Sequence, residues 1–365
     1  MNAVSKSILT FILRTLIVIS PIILILLGWY IWADPFKVIR HYDCYYPEPA
    51  EYPARIGINK GIVTFTNFED RIKEGHKYDS FIFGSSISCY YDAATWSALI
   101  KDSLRRTCFA KGNENHISVN PYHFDSSGES LISLAKKVKY LDDNGIIIRH
   151  ALIILDPVIM AANPSDSPGS IDPPQLHKNI FETIGYHYTF FRAATNADFF
   201  KSYIPGMVWN KPVKNGHNMV FERQPIKYDP LTNQETLQLW DSIIRTNPEK
   251  FYSRNPLNDS PIVYTERSPV LSEKKKEALE RIAGIFSRHA TDYHIIIGPN
   301  RAKITLNKSD LAEMQLIFES GRVHDFSTSH APVLEADTML YDNTHYRPPM
   351  AEIMMRQVYG SNAAE

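Results

Sequence analysis

The chain has 365 residues, with 39 Lys and Arg against 40 Asp and Glu, for a net charge of -1. That balance excludes the basic footprint of a general nucleic-acid binder. With 44% hydrophobic and 22% charged residues, the composition is that of a folded protein with room for one large core or two modest ones. The three cysteines, Cys44, Cys89 and Cys108, cannot build a disulfide framework and lack CxxC spacing. The histidines lack HxxxH spacing, so no metal site is expected. Cys89 is expected to pack as a small apolar residue. A Cys44–Cys108 bridge in an oxidising compartment stays open.

The first element is an uncharged run from Thr15 to Ala33, bracketed by Arg14 and Asp34. About 20 apolar residues cross a bilayer as a helix, and a span tolerates the internal Pro21. Trp29, Tyr30 and Trp32 stand at its C-terminal end, where amphipathic rings favour the membrane interface. Lys6 and Arg14 precede the run, so the N-terminus is expected in the cytoplasm, although Lys37 and Arg40 weaken that bias. A cleaved signal peptide is the competing reading, but no small-x-small site follows the run. Residues 1–34 are therefore read as a cytoplasmic stub and transmembrane anchor. Everything from residue 35 onward would lie outside the cytoplasmic membrane, in the periplasm or beyond the cell.

Residues 35–77 read as an irregular lead-in. From 78 to 365 short apolar runs alternate with helical periods. Strands are expected at 78–83, ending in Gly84, at 150–155, ending in Asp156-Pro157, and at 293–297, ending in Gly298-Pro299. Continuous apolar strands are buried on both faces, as in a parallel sheet. Helices are expected over 129–141, opened by a capping box at Ser126-Ser127-Gly128-Glu129, over 272–289, and over 351–359. The alternation predicts a three-layer α/β/α fold with a mainly parallel sheet. The stretch 158–270 breaks it, with more than half of the chain's 23 prolines and an aromatic-rich run. It is read as a helical insertion. It would be either a lid or partner surface over the C-terminal edge of the sheet, or an ordinary subdomain with its own small core.

Two motifs carry chemistry. Phe83-Gly84-Ser85-Ser86 follows the first strand. A serine there becomes a nucleophile once a base takes its proton and backbone N–H groups receive the oxyanion. Tyr341-Asp342-Asn343-Thr344-His345 lies just before the last helix. An Asp three residues before a His can orient the imidazole and stabilise its cation. Together, in this order, the motifs resemble the SGNH (GDSL-like) hydrolases, and within them the membrane-anchored branch with the D-alanyl-transfer protein of teichoic-acid modification and alginate-type O-acetyltransferases. The resemblance implies Ser86 as nucleophile, Ser85 in place of the family's Asp, and Asp342 and His345 completing the triad. Gly128 matches the second-block glycine, whose N–H would join that of Ser86 as an oxyanion donor.

The third block departs from the family. Where Gly-x-Asn-Asp is expected, the chain has Leu155-Asp156-Pro157. The side-chain oxyanion donor is therefore missing or supplied elsewhere, and Asn163 and Asn300 follow strand ends without a motif. Asp156 could order the loop or meet substrate, but a cap before Pro157 is the favoured role. The resemblance implies a membrane-anchored extracytoplasmic acyltransferase or esterase needing no cofactor. It would act on acyl groups of cell-envelope glycans, fed by an acylated carrier or a polytopic membrane O-acyltransferase. The alternatives are a catalytically weak accessory that binds glycan or such a partner, and a secreted lipase released by signal cleavage.

Overall fold

All six residues of His150–Leu155 are buried, which a strand achieves only when both faces of its sheet are covered. In a computed structural model of the chain, this segment is the middle strand of a five-stranded parallel sheet. The described residues are 3–46, 55–56, 58–109, 118–209, 221–222, 227–236, 238–253, 263–328, 334, 337–342 and 344–360. The strands are β1 (Ser80–Gly84), β2 (Pro121–Asp125), β3 (His150–Leu155), β4 (Asp292–Ile297) and β5 (Val323–Asp325), in spatial order 2-1-3-4-5. The order reverses between β1 and β3, the place where open α/β sheets form a crevice beyond their C-terminal strand ends.

Alternate side chains of each strand enter opposite cores. Phe81, Phe83, Ile153 and Ile295 pack with α2 (Lys60–Lys73), α4 (Leu131–Asp143), α10 (Glu273–His289) and α11 (Lys308–Phe318). Ile82, Leu152, Ile154 and Ile296 pack with α3 (Ala93–Phe109) and the final helix α12 (Pro348–Val358). The α/β/α layering expected from the alternation is present. Strands β1, β3 and β4 begin and end within two residues of the expected runs.

Three expectations are corrected. Residues 35–77 are not irregular throughout, because α2 lies there, capped by Asn59 and burying Phe65 and Phe68 in the first core. Ser126-Ser127-Gly128-Glu129 is not a capping box. Helix α4 is capped by Ser130, whose hydroxyl accepts from the Ser133 N–H, while Glu129 pairs with buried Lys137 at 2.8 Å. Helix α12 begins three residues before the expected start, since Pro348 and Pro349 occupy first-turn positions that need no donor.

The insertion divides. Helices α6 (Ile180–Ala194) and α7 (Ala197–Trp209) share a third cluster with the chain's first helix, α1 (Ala3–Ala33), through Tyr30, Phe36, Tyr186, Phe190 and Phe199. Helices α8 (Gln238–Thr246) and α9 (Pro248–Tyr252) join the second core. Helix α1 contains Pro21, and its apolar stretch Thr10–Ala33, mostly exposed before the buried Tyr30, is long enough to cross a membrane. Asp34 turns the chain beyond it. Its carboxylate accepts from the N–H groups of Val38, Ile39 and Arg40 at 2.8–3.2 Å.

Candidate active site

Strand β1 ends at Gly84, whose φ is +152°, and a Cβ there would lie 2.6 Å from the Ile154 carbonyl oxygen. Only glycine fits so close to the neighbouring strand. The carbonyl of Gly84 accepts from the Ser126 N–H at 3.2 Å, tying the β2 loop to the same edge. The chain then turns into a short 3₁₀ helix, Ser86–Tyr90. Ser85 closes the turn, its carbonyl accepting from the Ser88 N–H at 2.9 Å and the Ser88 hydroxyl at 2.7 Å. Ser86 takes the first helical position, where a leading N–H has no partner inside the turn.

Ser86 Oγ lies 2.8 Å from His345 Nε2, and His345 Nδ1 lies 2.8 Å from Asp342 Oδ2. These residues come together from segments 259 positions apart. Asp342 Oδ1 also accepts the N–H groups of Thr344 and His345, each at 2.8 Å. The carboxylate thus holds the loop's backbone with one oxygen and the imidazole with the other. Burial pushes the Asp342 carboxyl up, but the His345 ring and the two amides outweigh it and bring it down to about 2. Asp342 is then ionised across the neutral range, as the orienting member of a triad must be.

The loop is fixed on both flanks. Leu340 and Tyr346 form an antiparallel bridge, and the Tyr341 N–H donates to the His345 carbonyl at 2.7 Å. The buried Tyr346 hydroxyl lies 2.8 Å from that of Tyr91, and its ring packs on Gly298 just beyond β4. From the insertion, Asp241 accepts from the Tyr341 hydroxyl at 2.7 Å and from Arg347 Nε at 3.2 Å. The Tyr252 hydroxyl donates to the Thr338 carbonyl at 2.8 Å.

The serine turn is braced from below. Gln234 Nε2 donates to the Cys89 carbonyl at 2.6 Å, and Gln234 Oε1 accepts from the Ala93 N–H at 3.1 Å. Beside it, Lys60 Nζ lies 2.7 Å from Glu235 and 3.7 Å from Asp125, the residue paired with Gly84 across the β1–β2 register. Burial disfavours the Lys60 cation, but the two carboxylates reverse that and raise its pKa above the ordinary lysine range. Sequence reasoning missed Asp241, Gln234 and Lys60, since each acts through partners far along the chain.

The other expected residues are placed as follows. Gly128 lies in the exposed turn between β2 and α4, two residues beyond Ser126 and two before the Ser130 cap. Asp156 caps α5 (Pro157–Ala161), its Oδ1 accepting from the Val158 and Ile159 N–H groups at 2.5 and 2.7 Å. Asn300 spends its amide on Ile304, donating at 2.7 Å and accepting at 3.0 Å, and Asn163 is exposed on the loop after α5. The Ser85 hydroxyl, where the resembled family has Asp, is buried with no hydrogen-bond partner among the described residues. Cys89 packs against the second core, and burial raises its thiol. Cys44 is a free thiol, while His116, His330 and the Cys108 side chain lie outside the described residues. Among the described residues, no group of three or more His, Cys, Asp or Glu could hold a metal ion.

Ser86, His345 and Asp342 therefore have the connectivity of a charge-oriented nucleophile and base. A scan of family models and a search of curated protein sequences find no match to the chain.

Proposed function

We propose that the protein is a membrane-anchored serine acyltransferase or esterase of SGNH type, with Ser86 as nucleophile, His345 as base and Asp342 as its orienting carboxylate. The observation that carries this is the unbroken relay of two 2.8 Å contacts from Asp342 Oδ2 through the imidazole to Ser86 Oγ. Ser86 Oγ attacks the acyl carbonyl as its proton passes to His345 Nε2. The tetrahedral oxyanion collapses, the leaving alcohol takes that proton, and the acyl group remains esterified to Ser86. An acceptor hydroxyl or water then gives its proton to His345, attacks the ester and frees the serine. The Ser86 and Gly128 N–H groups would receive the oxyanion, and none of these steps requires a cofactor.

Helix α1 supports an anchor, with the N-terminus in the cytoplasm and the α/β domain on the outer side. There the acceptors in reach are cell-envelope glycans, and the donor is an acylated carrier or a polytopic membrane O-acyltransferase. A slower enzyme or glycan-binding accessory is the second reading, favoured by Asp156, which serves as a cap where a side-chain amide would assist. Losing one oxyanion donor costs about 10²–10³ in rate. Fluorophosphonate labelling of the full chain tests the proposal. Covalent labelling that disappears in both Ser86→Ala and His345→Ala supports the enzyme, and its absence from the folded protein favours the accessory.

A further inference from the structure

The geometry points to α6 as a second membrane contact, lying on the bilayer surface with lipid covering its exposed apolar face. This rests on α1 being a membrane span. Four large apolar side chains of α6 face away from the protein: Ile180, Phe181, Ile184 and Tyr188 are 64, 78, 58 and 60% exposed. At 3.6 residues per turn they share one arc of roughly 100°. A second arc, with Tyr186, Phe190 and Ala194, is buried in the third cluster. The remaining arc carries Glu182 and Arg192, and Lys178 lies just before the Asn179 cap. The helix has one face for the protein, one for water, and an apolar one that nothing among the described residues covers.

What covers the third face follows from its neighbour. Phe191 lies within the exposed arc, one turn beyond Tyr188, and packs edge-on against Tyr30 at 5.8 Å and 77°. Tyr30 belongs to the last turn of α1, whose apolar residues are mostly exposed before that turn. In the same turn Trp29 packs on Phe199, Phe200 and Tyr203 of α7, and Trp32 is 71% exposed. The apolar arc of α6 thus continues the apolar surface of α1 at the level of its aromatic end. Aromatic rings at the end of a span mark the headgroup boundary, and helices with separate apolar and charged faces lie in that boundary. Ile, Phe and Tyr fit the acyl edge of the bilayer, and Lys178 and Arg192 fit its headgroups.

The full chain in phospholipid nanodiscs, with a photoactivatable diazirine on one acyl chain, tests this. Illumination is expected to attach lipid both to α1 and to the 180–188 segment. Because the positions are exposed, Phe181→Ser with Ile184→Ser leaves the fold intact. It should lower lipid adducts on α6 by about tenfold, the loss of two apolar contacts, with those on α1 unchanged. Adducts on α1 with none on 180–188 would overturn the surface contact and leave the anchor standing. Adducts on neither helix would overturn both. Cross-links from α6 to a second copy or another protein in place of lipid would also overturn it.

Discussion

A methyl group on Gly298 would stand 2.9 Å from the Tyr346 hydroxyl and 3.0 Å from its Cε1. Tyr346 is fully buried and follows His345 directly, so the close approach at the end of β4 sets how deeply the His345 loop seats. The ring cannot swing aside while its hydroxyl meets Tyr91 at 2.8 Å. Gly298→Ala should destabilise the fold by about 1–3 kcal/mol, the usual cost of overpacking. It should slow fluorophosphonate labelling of Ser86 more than it lowers the unfolding midpoint. Labelling at the wild-type rate would mean that the loop does not depend on this contact.

Asp342 tests the relay without removing Ser86, the proposed nucleophile. With Asn at this position the imidazole is held in the wrong tautomer, and triads of this kind lose about 10⁴ in turnover. Asp342→Asn should keep the fold and reduce the labelling rate by a comparable factor. A loss of less than tenfold would assign the orienting role elsewhere.

The same carboxylate predicts an acid dependence of stability. Its folded-state pKa, about 2, is below the ordinary aspartate value of 3.8. A depressed acid contributes stability above its unfolded pKa and loses it as pH falls through the folded one. Between pH 4 and 2, therefore, the urea midpoint should fall more steeply in the wild type than in Asp342→Asn. Parallel curves would show that the native pairing does not persist in solution.

Asp241 reaches the loop from the insertion and joins its two flanks, Tyr341 and Arg347. Removing it takes away the hydrogen bond from the buried Tyr341 hydroxyl, at a cost of about 1–3 kcal/mol. A double-mutant cycle of Asp241→Ala and Tyr341→Phe should return a coupling of about 0.5–3 kcal/mol. Additive effects would mean that α8 packs near the loop without holding it.

Lys60 pairs with buried Asp125 and half-buried Glu235 below the serine turn. Lys60→Met would remove the cation that contacts both Asp125 and Glu235, and losing one partner of a buried pair costs about 3–5 kcal/mol. The thermal midpoint should fall accordingly, and adding Asp125→Asn and Glu235→Gln should restore part of it. No recovery would locate the loss in packing alone.

How much of this was legible depended on whether a residue's role is local. Strands β1, β3 and β4 announced themselves because each is an apolar run covered on both faces. Strand β2 did not, since Pro121 opens it and His123 and Asp125 interrupt the run, although both are buried. Helix α2 was hidden in the lead-in, because its first residue is a lysine whose carboxylate partners, Asp125 and Glu235, lie far along the chain. Ser86, Asp342 and His345 were readable from spacing, and so was the capping role of Asp156 before Pro157. Asp241 and Gln234 carry no local signal, because both work across the boundary between the insertion and the α/β sheet. The cap of α4 was misplaced because four adjacent hydroxyl or acidic residues compete for one position. Burial chose Glu129 for Lys137 and left Ser130 to the helix.

The way α1 joins the body has a kinetic meaning. Asp34 stitches the turn after the helix, and Tyr30 and Phe36 are embedded among the rings of α6 and α7, so no slack tether separates anchor from domain. With α1 as a membrane span, as proposed, such a molecule would search a plane instead of a volume, and Ser86 would travel at one altitude. Under that proposal, substrates or partners fixed at that height would meet it at high effective concentration, while polymer beyond its reach would stay untouched until carried inward.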